Sequence, residues 1–196
     1  MKVLLATANQ KKIQEIKDIL SETAIAIITP RDLDLFVDVE EDGSTFKENA
    51  IKKATAWAKA SGMNALADDS GLCVDALGGR PGVTSARFAG ENATDEDNCR
   101  LLLKYMEGIK DRRARFICVI ALAMSNGDVI TVQGDYPGLI LDRPLGTNGF
   151  GYDPVFFDPV TKKTFAQLST EAKNQRSHRR RALLALKRHF MGLKYI

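Results

Sequence analysis

Asn64-Ala65-Leu66-Ala67-Asp68-Asp69-Ser70-Gly71-Leu72 brings a short apolar run to an abrupt end on two adjacent carboxylates. Asn64 to Ala67 reads as a strand, Asp68-Asp69-Ser70-Gly71 as good turn chemistry, and Leu72 to Leu77 as a returning strand. Immediately upstream, Thr45-Phe46-Lys47-Glu48 has the spacing of a capping box. It predicts a helix running to about Ala60, with Phe46, Ala50, Ala54 and Trp57 as its apolar stripe and Ser61-Gly62 as its stop. A helix feeding a strand in this way is the unit of an α/β fold.

Working outward, the same alternation repeats. Lys2 to Ala6 reads as a buried strand, residues 10–21 as a helix with Ile13, Ile16, Ile19 and Leu20 on one face, and Ala24 to Ile28 as a second strand closed by Thr29-Pro30. Residues 31–43 read as a loop. On the other side, Gly78-Gly79-Arg80-Pro81-Gly82 is a turn cluster and Thr94 opens a helix to about Met106. Arg115 to Met124 is a nearly continuous apolar run, the pattern of a strand covered on both faces. Asn126-Gly127 signals a hairpin, with Asp128 to Val132 as the partner. Residues 134–154, rich in Gly and Pro, read as loop, Val155 to Phe157 as a short strand, and 170–176 and 178–191 as helices. A mixed sheet with helices packed on it is the expected architecture, and 196 residues suit a single domain spanning 1–196.

The net charge is +3, too mild to argue for nucleic acid but suited to a small polyanion. Cys73, Cys99 and Cys118 are odd in number and far apart in sequence, which fits reduced thiols rather than a disulfide framework or a zinc site. No secretory leader pattern and no apolar run approaching the ~20 residues of a membrane span is present, so the cytoplasm is the expected compartment.

Five clusters could carry chemistry. Asp68-Asp69 could hold Mg²⁺ or activate a water, although these residues by themselves favour a polar turn. Val39-Glu40-Glu41-Asp42-Gly43 could add a carboxylate, or be a solvated acidic loop before a helix. It is not a calcium loop, because Asn49 falls where a bidentate Glu is needed. Thr7-Ala8-Asn9-Gln10-Lys11-Lys12 precedes a helix, where backbone N–H groups, hydroxyl, amide and ammonium make an anion site. A capped surface helix with solvated lysines is an equal reading. Gly149-Phe150-Gly151-Tyr152-Asp153-Pro154 offers close backbone approach, two aromatics able to stack a base and an acceptor, against a tight turn with core aromatics. Ser177-His178-Arg179, with Lys173 upstream, offers donors to a carbonyl or phosphate, against an N-cap followed by a basic helix face. No Walker, Rossmann, G-x-S-x-G or H-E-x-x-H pattern occurs.

In order, these clusters resemble one family. Thr7-x-Asn9-x-x-Lys12-x-x-Glu15, Thr45-Phe46-x-Glu48-Asn49-Ala50, Ala67-Asp68-Asp69-Ser70-Gly71-Leu72, Pro81-Gly82-Val83-x-Ser85-Ala86-Arg87, Gly149-Phe150-Gly151-Tyr152-Asp153-Pro154 and Ser177-His178-Arg179 together are similar to the inosine triphosphate pyrophosphatase (Ham1/RdgB-like) family over essentially the whole chain. The resemblance implies an elongated mixed α/β fold of two lobes with a central active-site cleft. It also implies a homodimer, Mg²⁺, and hydrolysis of ITP, dITP and XTP to the monophosphate and pyrophosphate. Carried over by residue, it implies Asp69 as general base, Glu41 and Asp69 as metal ligands with Asp68 nearby, and Thr7 to Lys12 with Lys53 as the triphosphate cradle. Ser70 becomes a substrate contact, and Phe150, Gly151, Tyr152, Asp153, Lys173, His178 and Arg179 the base pocket.

The chain departs from the family pattern at Gln10-Lys11, Asn148, Arg176 and Arg180, which leaves the reaction class intact and touches substrate preference. Two other readings stay open: a Maf-like pyrophosphatase for pyrimidine or modified nucleotides, and a non-enzymatic nucleotide or RNA binder using the basic cluster at 176–188.

Overall fold

Val3, Leu4 and Leu5 lose all contact with solvent, which makes the first strand, β1 (Lys2–Leu5), the apolar start of a sheet. The structure, a computed structural model, describes residues 1–21 and 25–192. Asn9 then caps α1 (Gln10–Leu20), its side chain accepting from the backbone N–H groups of Lys11 and Lys12. Ile13, Ile16 and Leu20 turn inward on the spacing expected of them. The strand expected over 24–28 is β2 (Ala26–Ile28), and residue 24 lies outside the described residues. The predicted capping box holds: Thr45 and Glu48 satisfy each other's backbone and open α2 (Phe46–Ser61), which Gly62 ends in a left-handed conformation.

The turn expected at 68–71 does not form. Ala65–Val74 is one ten-residue strand, β3, that runs straight through Asp68-Asp69-Ser70-Gly71. Apolar residues buried at both of its ends (Ala65, Leu66, Leu72, Val74) and neighbours β1 and, further on, β4 (Arg113–Ala123) override the local turn preference of the four polar residues. Thr94 caps α3 (Asp95–Tyr105) with a second capping box, closed by Asp97. β4 (Arg113–Ala123) follows, and Met124 to Asp128 turn into β5 (Val129–Ile140). β5 is much longer than the expected partner: it continues through Gly134, Pro137 and Gly138, residues that read locally as loop. Gly138 is required there, since a Cβ would stand 2.5 Å from the Phe156 ring. β6 (Phe156–Asp158), β7 (Lys163–Thr164), α4 (Thr170–Asn174) and α5 (His178–Gly192) complete the chain. β7 has no counterpart among the expected strands.

Among the described residues the strands pair in the order β2-β1-β3-β4-β5-β6-β7. β1 is parallel to β2 and β3, whereas β6 is antiparallel to β5 and β7, so the sheet is mixed as expected.

The chain divides into two compact units. One comprises Met1–Asp69, Cys118–Gly134 and Arg179–Ile196; the other comprises Ser70–Ile117 and Asp135–His178. Each has its own core. In the first, Ile13, Ile16 and Leu20 of α1 pack with Val3, Leu5, Leu66, Ile120 and Leu122 of the strands and with Ala182, Leu183 and Leu186 of α5. In the second, Cys99 and Leu102 of α3 pack with Leu72, Val74, Phe116, Tyr136, Phe156 and Phe165. Phe116, Phe156 and Phe165 form a ring cluster with centroids 4.5–5.9 Å apart.

Candidate active site

β1 pairs with β3 only as far as Leu5↔Leu66, and β3 continues. Asp68 and Asp69 therefore stand just past the carboxyl end of β1, beside the loop Thr7-Ala8-Asn9 that leads into α1. That is where parallel α/β sheets gather ligands. Successive side chains of a strand point to opposite faces, and the two carboxylates accordingly have different partners. Both are buried, 2% and 5% exposed.

Asp68 faces cations. Its Oδ2 accepts from Nε and Nη2 of Arg179 at 3.3 and 3.0 Å and lies 3.3 Å from Nζ of Lys12. Arg179 uses its other arm, Nη1, to donate to Glu15, itself buried on α1. Burial alone would raise the Asp68 carboxyl, but Lys12, Arg179 and Lys53 hold it far below the usual carboxylate range.

Asp69 faces α2. Asn49 Nδ2 donates to its Oδ2 at 3.2 Å and Lys53 Nζ to its Oδ1 at 3.3 Å. Asn49 and Lys53 are one helical turn apart, so a single face of α2 presents both. Lys53 Nζ also lies 3.0 Å from Oε2 of Glu41, and thus bridges Glu41 and Asp69. Burial pushes the Asp69 carboxyl up, and Glu41 adds to this against the pull of Lys53 and Lys12, leaving it raised. The amide oxygen of Asn49 accepts from the Gly43 N–H at 2.8 Å. A Cβ on Gly43 would meet that oxygen at 2.5 Å, so the loop approaches this close because residue 43 is glycine.

Thr7 and Lys12 are half-buried here and Ala8, Asn9, Gln10 and Lys11 are exposed. The N–H groups of Lys11 and Lys12 are already taken by the Asn9 cap. The cap expected of a surface helix is present, so the lysine side chains rather than those amides are the anion-binding groups this loop offers.

Glu41 and Asp69 are hard oxygen donors close enough to share one ammonium. That donor set fits Mg²⁺, which binds through one or two carboxylates with waters and phosphates completing its shell. Among the described residues no group of three or more His, Cys, Asp or Glu is gathered for a metal.

The second unit holds the remaining expected residues. Asp153 Oδ2 accepts from Lys173 Nζ at 2.5 Å and from the Phe150 N–H at 2.9 Å. The Lys173 ammonium lies 4.5 Å from the centre of the Phe150 ring. Gly149 has a positive φ of 76°, and its missing Cβ leaves the space that Asp153 Oδ2 takes. Asp95, at the start of α3, accepts from the Gly151 N–H at 2.8 Å, and Asn148 donates to the Leu168 carbonyl at 2.9 Å. A cavity of about 430 Å³ lined by Asp95, Cys99, Leu103, Pro144, Phe150 and Gly151 adjoins this loop.

Two residues of this cluster are buried with protein partners. Tyr152 is 4% exposed in the core, with its hydroxyl donating to the Ser85 carbonyl at 2.8 Å. His178 is buried and stacks on Phe116 at 4.8 Å, so that ring face is covered. Ser70 is half-buried on β3. Arg179 belongs to the first unit, where Asp68 and Glu15 engage its fork. Sequence reasoning assigned no role to Glu15, Asn49 or Asp95. The signal for the first two was their place inside quoted motifs; Asp95 carried none beyond helix capping.

Buried carboxylates of unlike environment, rimmed by lysines at the end of a parallel strand, mark a mixed α/β protein equipped for polyphosphate chemistry. The chain belongs to the Ham1 family, whose profile matches residues 3–189. It is 50% identical to the dITP/XTP pyrophosphatase of Geobacter sulfurreducens over 190 residues, 96% of each chain, and 45% identical to that of Clostridium perfringens over 98% of each. The solved structure of the Staphylococcus aureus Ham1 protein matches with a TM-score of 0.88 at 46% identity, covering 98% of this chain and 99% of that one.

Proposed function

We propose that this protein hydrolyses non-standard purine nucleoside triphosphates, ITP, dITP and XTP, to the nucleoside monophosphate and pyrophosphate. The observation that carries the reading is Asp69: a buried carboxylate with a raised pKa, held by Asn49 and Lys53 and sharing that lysine with Glu41, in a chain of the Ham1 family.

A general base works best when its pKa is lifted towards the working pH. Asp69 accepts the proton of a water whose oxygen bonds to the α-phosphorus, and the bond from that phosphorus to the α–β bridging oxygen breaks, releasing pyrophosphate. Lys12 and Lys53, with Thr7 to Lys11 alongside, meet the polyphosphate, which carries roughly four negative charges. Glu41 and Asp69 would hold Mg²⁺, which when bound supplies charge neutralisation at the phosphates. Asp68 keeps Lys12 in place. The second unit supplies base recognition: the Phe150 ring as a stacking face and Lys173, oriented by Asp153, as a donor to a purine O6 carbonyl. A donor there favours a carbonyl over the amino group of adenine.

Among the described residues no helix is long and apolar enough to cross a membrane. A cytoplasmic homodimer is the setting we propose, with no nucleic-acid or membrane partner.

The test is a nucleotide panel (ITP, dITP, XTP, GTP, UTP and dTTP) with products identified by mass, with and without Mg²⁺. Pyrophosphate and monophosphate from the first three, only with Mg²⁺, are expected. Orthophosphate, or no product from any purine triphosphate, removes the reading, and faster turnover of UTP or dTTP replaces it with the pyrimidine one.

A further inference from the structure

The Lys53 ammonium stands in the place where Glu41 and Asp69 would grip a metal ion, 3.0 Å from the one and 3.3 Å from the other. Ammonium-to-oxygen contacts near this length and Mg²⁺-to-oxygen contacts of about 2.0–2.1 Å exclude each other in one gap. A divalent ion entering between the carboxylates meets a like charge already bonded to both.

We infer that Lys53 is a tethered counter-ion of the metal site. It fills the gap between Glu41 and Asp69 until a divalent cation takes it, and the displaced ammonium then turns to the polyphosphate. The inference rests on the reading of Glu41 and Asp69 as metal ligands.

The geometry supports both halves of the exchange. Lys53 is only 8% exposed, so its charge depends on carboxylates rather than on water for stabilisation. The two sides of the gap also differ in freedom. Asp69 rides on a central strand and its second oxygen is held by Asn49, whereas Glu41 lies on an irregular loop with its side chain 38% exposed. The four-carbon stem of a lysine lets its ammonium move without the helix moving. Lys53 therefore lowers metal affinity in the nucleotide-free protein while holding two close carboxylates together.

The experiment measures Mn²⁺ binding directly, by the electron paramagnetic resonance signal of the free ion, in wild type, Lys53→Met and Glu41→Gln without nucleotide. Tm is recorded in chelator and at saturating Mn²⁺. Lys53→Met is expected to bind Mn²⁺ about tenfold tighter than wild type, to melt below wild type in chelator, and to recover at saturating Mn²⁺. Glu41→Gln is expected to bind about tenfold more weakly than wild type. If Glu41→Gln leaves Mn²⁺ binding unchanged, the metal-ligand reading itself fails. If Glu41→Gln weakens binding but Lys53→Met does not tighten it, Lys53 is no competitor and the inference is overturned while that reading stands. Should Lys53→Met not fold in chelator, Lys53→Arg decides. Its fork grips both carboxylates more firmly and must bind Mn²⁺ more weakly than wild type; equal or tighter binding overturns the inference.

Discussion

Arg179 donates to Oδ2 of Asp68 from Nη2 at 3.0 Å and from Nε at 3.3 Å, with both side chains almost wholly buried. Removing one member of such a pair leaves an uncompensated charge in the interior. Asp68→Asn is expected to lower stability by about 3–5 kcal/mol near neutral pH, measured by urea unfolding. The pH dependence has a definite sign. The folded Asp68 carboxyl lies below its unfolded value of about 3.9, so its contribution is complete above that value and is lost as pH falls through the folded one. The gap between wild type and Asp68→Asn should therefore narrow below about pH 4. A gap of constant size down to the acid limit contradicts the pairing.

The neighbouring substitution should behave in the opposite way. The Asp69 carboxyl is raised, so in the fold its charge is held at a cost. Asp69→Asn should leave Tm unchanged or slightly higher while reducing kcat on ITP by about 10²–10⁴-fold. Loss of Tm with retained kcat would exchange the roles of the two residues.

Gly149→Ala tests the loop of the second unit. A Cβ there lands on Asp153 Oδ2, and the φ of 76° adds strain. Displacing Asp153 loosens both Lys173 and the Phe150 N–H. We expect KM for ITP to rise about tenfold with a smaller change in kcat, because this loop is assigned to the base rather than to the phosphorus. Steady-state kinetics on ITP and GTP will show the split; a loss confined to kcat places the loop elsewhere in the mechanism.

The cysteines should be silent. Burial pushes the Cys99 thiol up to about 12, with Asp95 and Asp153 adding to it, and burial pushes Cys118 up to about 12 as well. Cys73 is also raised, again by burial first. The thiolate is the reactive form, so at about pH 8 the native chain should react slowly with a disulfide reagent and release three equivalents only when unfolded. Fast reaction of any one thiol in the native state would show that its burial is incomplete.

What local sequence announced, the structure contains. The capping box at Thr45, the helix start at Thr94, the apolar stripe of α1 and the Gly62 stop depend on residues within one or two turns of each other. What it did not announce depends on distant partners. β3 runs through a four-residue turn signal because its neighbours and the buried residues on either side demand it, and β5 runs past Pro137 in the same way. The partners of Arg179 lie 111 and 164 residues away, so no spacing rule could have found them. The candidate residues were legible through family resemblance; their division between two units, and the loss of Tyr152 to the core, were not.

The continuity of β3 also bears on how this protein fails. A carboxylate pair on a turn could be lost by a local rearrangement that spares the rest of the chain. Here the pair sits within one strand whose residues on either side are buried in the core, so a change at the pair disturbs that packing as well. The lifetime of the centre is then the lifetime of the fold: on slow heating, turnover and far-ultraviolet ellipticity should vanish together, with no folded but inert species between them.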